Sequence, residues 1–343
     1  MVIPHRRKIL RQTFPKTRND LRSRGNRGNF ASPFGLFRAG FFVRVGRVSE
    51  GPLYLCGTTA SGKTALALAL AEAVGGEIVN GDAFQLYHGL EILTAAPGEE
   101  ERNRCPHHLF GVIDPHDSMD AAKYAGMAQV VIDEILARGK RPIVVGGSGL
   151  YLKFLTHGVA EAPPADEKIR AELEALPVEE VYRRLQHLDP EEAARQNPGN
   201  HRHVSRALEI CLITGGKASA LRRNFAETER SKELFGVVLS WPREILAERI
   251  AARTQAMFEA GVVAEVEALP PGATTVRQAI GVREIEGYLR GELSRAECEE
   301  RIVISTRQYA KRQRNWFRRE DWLKPVEGSL PVGEQVAAVI APG

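Results

Sequence analysis

The sequence predicts an α/β protein, a P-loop NTPase-like parallel sheet core carrying an all-helical insertion domain. Three observations point there. A glycine-rich run, Gly57-Thr58-Thr59-Ala60-Ser61-Gly62-Lys63-Thr64, fits the phosphate-cradling pattern and lies between an apolar stretch and a helix-forming one. Downstream, short apolar runs alternate with helical periodicity, as parallel strands and crossover helices do. Residues 166–222 break that alternation with several short helical stretches and no strand signal.

Taken in order, Leu53-Tyr54-Leu55-Cys56 predicts the first strand and Ala65-Leu66-Ala67-Leu68-Ala69-Leu70 the first helix. Between them the glycines let the backbone bend so that successive N–H groups converge on phosphate oxygens, and the helix N-terminus adds partial positive charge. Gly57, Thr58, Thr59, Ala60, Ser61, Gly62, Lys63 and Thr64 are therefore the candidate phosphate-binding residues. Lys63 is placed to neutralise the terminal phosphate, and the Thr64 hydroxyl to reach Mg²⁺. A second strand, Glu77-Ile78-Val79-Asn80, ends at Gly81-Asp82. Ala121 to Arg138 has helical spacing, and Gly139-Lys140-Arg141-Pro142 stops it. A third strand, Ile143-Val144-Val145, runs into Gly146-Gly147-Ser148-Gly149-Leu150-Tyr151. Ligands in such sheets sit beyond the carboxyl ends of the strands, so Gly57–Thr64, Asp82 and Ser148 should converge on one cleft. Past Pro163-Pro164 the helical stretch includes His203 to Ile213; Leu234 to Ser240 then reads as a strand again. In the helical C-terminal third, Ser294-Arg295-Ala296-Glu297 is a capping box opening a helix that reaches Trp316 or beyond. The expected organisation is a basic, disordered extension over 1–48, a first core segment over 49–160, the helical insertion over 161–231, core completion and C-terminal helices over 232–325, and a tail over 326–343.

The 343 residues are 43% hydrophobic and 26% charged, an ordinary globular composition. No apolar run approaches the roughly 20 residues a membrane span needs. Cys56, Cys105, Cys211 and Cys298 lie far apart without a C-x-x-C pair, which predicts reduced thiols and a cytoplasmic protein. The net charge of +4 is unevenly spread: residues 1–50 hold 12 Lys/Arg against Asp20 and Glu50, so the remainder is slightly acidic. That Arg-rich start is compatible with a simple tail, an organellar transit peptide, a nucleic-acid-binding arm or an over-extended start codon.

Asp82, just past a strand, is a candidate general base or Mg²⁺ contact, and equally a candidate helix N-cap. Cys105-Pro106-His107-His108 has adjacent histidines pointing to opposite sides of an extended segment, which favours local hydrogen bonding over a metal site. His201 and His203 fall on a helix, where they do not share a face. Arg307 to Arg319 is dense in cations with aromatics interleaved, suited to phosphate contacts and base stacking. The competing reading is a solvated basic face anchored by Trp316 and Phe317. Arg202, Arg206, Arg277 and Arg283 strengthen the nucleic-acid reading. A kinase or ATPase usually ends a hydrophobic strand in an acid that holds Mg²⁺, whereas Ile143-Val144-Val145 ends in Gly146-Gly147-Ser148.

The ordered set of motifs resembles the bacterial tRNA dimethylallyltransferases, from about Leu53 to Trp322. Its landmarks are Gly57–Thr64, Gly81-Asp82 with Gln85 and Tyr87, Pro106-His107-His108-Leu109, Val145-Gly146-Gly147-Ser148-Gly149-Leu150-Tyr151, Ser205-Arg206-Ala207-Leu208-Glu209, Ala279-Ile280-Gly281, and Thr306 to Gln313 with Trp316-Phe317-Arg318. The resemblance implies transfer of a dimethylallyl group from dimethylallyl diphosphate to the exocyclic amine of the adenosine 3′ to the anticodon, by a monomer assisted by Mg²⁺. The nearest alternatives are a prenyltransferase acting on free adenylate and a nucleotide kinase or ATPase. By resemblance, Asp82 is the general base and Thr59 a second catalytic residue. Asp82, Ala83, Phe84, Gln85, Ser148, Arg170, Arg202, His203, Val204, Ser205, Arg206, Gln278, Gly281, Arg283, Lys311, Arg312, Gln313 and Arg318 match tRNA-contacting positions, which makes the insertion a tRNA-binding unit. Thr58, Ala83, Leu93, Ala96, Ser148, His203 and Val282 depart from the family's usual residues.

Overall fold

In the computed structural model the described residues are 51–158, 163–228 and 234–341. The basic extension over 1–48 and the insertion's expected borders near 161 and 231 lie outside them. The first half of the core runs β1 (Leu53–Gly57), α1 (Lys63–Val74), β2 (Glu77–Asn80), α2 (Glu91–Thr94), α3 (Glu99–Arg104), β3 (His107–His108), α4 (Ala121–Ala137), β4 (Pro142–Gly146) and α5 (Gly149–His157). Helices α6 (Glu167–Glu174), α7 (Val178–Leu188), α8 (Pro190–Arg195), α9 (His201–Thr214) and α10 (Ala218–Thr228) follow. The core resumes with β5 (Phe235–Ser240), α11 (Arg243–Glu259), α12 (Val262–Glu267), a 3-10 turn at Val276–Gln278, α13 (Val282–Leu289), α14 (Arg295–Phe317), β6 (Leu323–Glu327) and α15 (Val332–Ile340).

The six strands form one sheet in the order β3-β2-β4-β1-β5-β6, every neighbouring pair parallel. The residues of β1, β2 and β4 are all buried because both faces are covered, which is why Leu53–Cys56 and Ile143–Val145 read as continuous apolar runs. Side chains alternate across the sheet. Leu53, Leu55, Ile143 and Val145 pack with Leu66 and Leu70 of α1 and Val339 of α15. Tyr54, Cys56, Val79 and Val144 face the other core, shared with α4, α5 and the helices from α11 to α14. The insertion has its own core of Leu173, Val181, Leu185, Val204, Leu208 and Cys211. Caps set the helix starts: Asp120, Asp166 and Asn200 accept from first-turn N–H groups of α4, α6 and α9, and Ser294 with Glu297 closes a capping box on α14.

The extended segment expected around His107-His108 is a two-residue strand at the sheet edge, too short to leave a periodic signal. Two readings of the sequence are corrected. Residues 326–341 are not a loose tail: β6 pairs with β5, and α15 docks on α1. The strand is masked in sequence because its edge position leaves Lys324, Pro325 and Glu327 exposed. Asp82 caps no helix; the next one begins at Glu91, and the Asp82 carboxylate instead accepts from the nearby Phe84 N–H at 3.1 Å in a turn.

Candidate active site

The phosphate loop emerges from β1, crosses the sheet's carboxyl edge and enters α1. Gly62 carries a φ of +90°, a left-handed conformation that favours glycine, at the position before the helix. The loop is held from outside. Trp241 Nε1 donates to the Ser61 carbonyl and Arg249 Nε to the Ala60 carbonyl, each at 2.8 Å. The Arg249 guanidinium lies 4.4 Å from the Trp241 ring centroid. Arg253 Nη1 donates to Thr59 Oγ1 at 2.8 Å, and the Thr59 N–H donates to Gln313 Oε1 at 2.8 Å. Lys63 Nζ donates to the Gly57 and Thr58 carbonyls at 3.1 and 2.8 Å. Ser61 Oγ is buried with no hydrogen-bond partner among the described residues.

The electrostatics favour an anion. Burial pulls the Lys63 ammonium down to about 8, against the opposing pull of Asp82. Arg253 is lowered for the same reason, again opposed by Asp82. Two cations are thus held in a poorly hydrated place where a doubly charged phosphate group would restore the balance.

Asp82 leaves β2 at the same edge. Asn80 fixes it: Asn80 Nδ2 donates to the Asp82 carbonyl at 3.0 Å and to the Leu109 carbonyl at 2.9 Å, while Asp82 N–H donates back to Asn80 Oδ1 at 2.8 Å. The Tyr124 hydroxyl donates to the Asn80 carbonyl at 2.8 Å. Ser148, beyond β4, accepts the Ala83 N–H on its Oγ at 2.9 Å. Close approach of β2, β4 and α14 explains the glycines of the Gly146-Gly147-Ser148-Gly149 run. A Cβ would stand 2.1 Å from Gly81 O at Gly146, 2.2 Å from Gln313 Nε2 at Gly147, and 2.5 Å from the Trp316 ring at Gly149.

Between these loops lies a cleft of about 590 Å³. Thr59 to Thr64, Asp82 and Arg253 form its polar wall, while Phe84, Leu93, Met257, Ile280 and Ile302 offer apolar surface. Gln85, Gln278 and Arg312 also line it, and Gln85 Nε2 is tied to the Thr94 and Ala95 carbonyls. Ala83 and Ser148 do not line the cleft; they stand behind Asp82 and Phe84, which do.

The remaining expected residues divide. Arg202 and His203 are exposed on the first turn of α9, Arg283 on α13, Lys311 on α14 and Arg318 at its C-cap. Arg170 and Arg206 both pair with the buried Glu209, at 3.2 and 2.6 Å. Gly281 is buried with a φ of +105° and heads α13. Val204 and Ser205 are buried in the insertion, and Gln313 is buried against the phosphate loop, so these three side chains support the fold rather than offer surface to a partner. No motif in the sequence marks Arg249, Arg253 or Trp241 as part of the site. Their available signal was two arginines four apart, hence on one helix face, following a strand next to the phosphate loop. His107 donates from Nδ1 to the Cys105 carbonyl at 2.8 Å, and His108 bonds Glu77 at 2.7 Å, both local roles.

For a metal, the oxygen donors at hand are the Thr64 hydroxyl and the Asp82 carboxylate. Among the described residues no three His, Cys, Asp or Glu side chains form a cage. This donor set fits Mg²⁺, which takes few protein oxygens and completes its shell with phosphate and water.

Residues 85–320 match the family model described as IPP transferase. The chain is 44% identical over 277 residues to a tRNA dimethylallyltransferase of Akkermansia muciniphila, covering 81% of this chain and 93% of that one. It is also 44% identical over 292 residues to one of Myxococcus xanthus, covering 81% and 94%. Among solved structures, a tRNA isopentenylpyrophosphate transferase of Bacillus halodurans is similar with a TM-score of 0.62 at 32% identity, covering 85% of this chain and 95% of that one. A eukaryotic dimethylallyltransferase acting on tRNA is similar with a TM-score of 0.70 at 28% identity, covering 82% and 74%.

Proposed function

Since this chain belongs to the tRNA dimethylallyltransferase family, we propose that it transfers a dimethylallyl group from dimethylallyl diphosphate to the exocyclic amine of the adenosine 3′-adjacent to the anticodon in tRNA. It is an enzyme, a prenyltransferase. The observation that carries the residue-level reading is the single cleft shared by Thr59–Thr64, Arg253 and Asp82, flanked by apolar side chains.

The adenine amine is a weak nucleophile because its lone pair is delocalised into the ring. The demanding part of the reaction is therefore departure of diphosphate from the allylic carbon, and stabilising that leaving group is the main catalytic task. Loop N–H groups, the α1 N-terminus, Lys63 and Arg253 surround the position it would occupy. Thr59 Oγ1 accepts from Arg253, which leaves its own proton free to donate to a departing oxygen. The carbon–oxygen bond breaks, the carbon–nitrogen bond forms, and the amine proton passes to the Asp82 carboxylate. The acceptor base must leave its stack to reach the cleft. Phe84 and Gln85 are positioned to line it, with Arg202, His203, Arg283, Lys311, Arg312 and Arg318 as the exposed candidates for tRNA contact. Mg²⁺ held by Thr64 and diphosphate oxygens would spread the developing negative charge. The enzyme acts as a monomer in the cytoplasm, where its tRNA substrate is at hand.

Incubation with dimethylallyl diphosphate and undermodified tRNA should yield prenylated adenosine, and AMP in place of tRNA should not. Asp82→Ala should lower turnover by about 10²-fold or more with little change in tRNA affinity. Near-normal turnover in that variant would remove Asp82 as the base. Efficient prenylation of AMP would favour the free-nucleotide alternative.

A further inference from the structure

We infer that Gln313 is a positioning residue of the prenyl-transfer site, clamping the diphosphate loop to the loop after β4. This rests on the function proposed above. The stretch around Gln313 was expected to face tRNA, yet the side chain is only 5% exposed. Its Oε1 accepts the Thr59 N–H at 2.8 Å, and its Nε2 donates to the Gly147 carbonyl at 2.9 Å. A carboxamide carries a donor and an acceptor in one rigid plane, so a single uncharged side chain fixes both loops at once. The closeness is built in, since any side chain at Gly147 would collide with Gln313.

The clamp acts on both sides of the reaction. The Thr59 N–H is already used and the Ser61 N–H bonds the Thr58 carbonyl at 3.4 Å, so the Ala60, Gly62, Lys63 and Thr64 N–H groups are the ones left for an anion, and Thr59 is held where Arg253 meets its hydroxyl. The clamp also continues toward the base. The Tyr309 side chain lies beside those of Gln313 and Ser148, and Ser148 Oγ takes the N–H of Ala83, next to Asp82. Polar side chains therefore pack between the leaving-group cradle and the proton acceptor, with Gln313 bonded at one end and Ser148 at the other. Reacting atoms must approach within a few tenths of an ångström of the productive geometry, and a misplacement of about 1 Å costs about 10²-fold.

The test uses the full chain with Mg²⁺ and inorganic pyrophosphate as the probe, measured by calorimetry, and tRNA binding measured separately. Gln313→Met keeps length and approximate volume while removing both bonds. It should weaken pyrophosphate binding about tenfold, the effect expected from losing two hydrogen bonds. Its turnover at saturating substrates should fall about 10²-fold while its tRNA dissociation constant stays within about twofold. Lys311→Ala, two residues away but exposed, should show the opposite pattern. Gln313→Glu keeps the acceptor for Thr59, loses the donor to Gly147 and adds a negative charge, so it should bind pyrophosphate more than about tenfold more weakly than the wild type, and it carries the test if the Met variant does not fold; wild-type affinity in it also overturns the inference. Wild-type pyrophosphate affinity and turnover in Gln313→Met, or a selective loss of tRNA binding, overturns the inference. Failure of the wild-type protein to bind pyrophosphate would instead strike at the diphosphate-site reading itself.

Discussion

At the residue scale, the site works by holding cations where water is scarce. Lys63 shows the consequence most directly, because burial brings its ammonium down to about 8 in the free protein. Below that pH it is charged and attracts the diphosphate; above it the side chain is neutral until an anion returns its proton. Affinity for dimethylallyl diphosphate should therefore fall as pH rises through about 8, with proton uptake on binding, in calorimetry run in buffers of different ionisation enthalpy. In Lys63→Met that pH dependence should disappear. Arg253 was hidden in sequence because nothing local distinguishes it from Arg243 on the same helix; only the fold turns it toward Thr59. Arg253→Ala should reduce turnover by about 10²-fold, the range seen when one preorganised donor to developing charge is removed. Arg253→Lys should recover only part of that loss, since an ammonium lacks the guanidinium's fixed fork.

At the element scale, α14 is one helix of 23 residues with three duties. Ile302, Thr306 and Tyr309 face the cleft, Gln313 and Phe317 pack toward the sheet, and Arg307, Lys311 and Arg314 face α11. Together with Arg243 on α11 these last three line a separate groove of about 440 Å³, in which Glu244 is the one acid among the described residues. Replacing Arg307 and Arg314 by Ala should lower tRNA affinity, reduce the slope of log affinity against log salt by about one per residue, and leave the KM for dimethylallyl diphosphate unchanged. The basic character of this helix was legible in sequence, as were its capping box and its C-terminal reach. Which cations point outward was not, because the same run of charges surrounds the buried Gln313 and only packing sorts the faces. The phosphate loop was legible for the opposite reason: its function lies in backbone conformation, which glycine and a following helix dictate locally.

At the scale of the whole molecule, the sheet is closed by the end of the chain. Gln335, 5% exposed, donates to the Gly328 and Leu330 carbonyls and locks α15 to the end of β6. Val339 packs with Leu66 and Leu70 of α1, the helix that opens at the phosphate loop. Truncation after Glu327 should expose that apolar face, lower the melting temperature and reduce soluble yield, as followed by thermal denaturation; an unchanged melting temperature would show that α15 adds nothing to the core. The order of residues along the chain was enough for the alternating α/β core, the anion-binding turn, the helical insertion and the ordered motifs that mark the family. All of these depend on local periodicity or on backbone conformations that particular residues require. It took the folded molecule to bring Arg253 into the site, to turn Gln313 onto the phosphate loop, to place Val204 in a core, and to let Leu323–Glu327 complete the sheet. Those assignments depend on contacts between segments far apart in the chain, which no local pattern encodes.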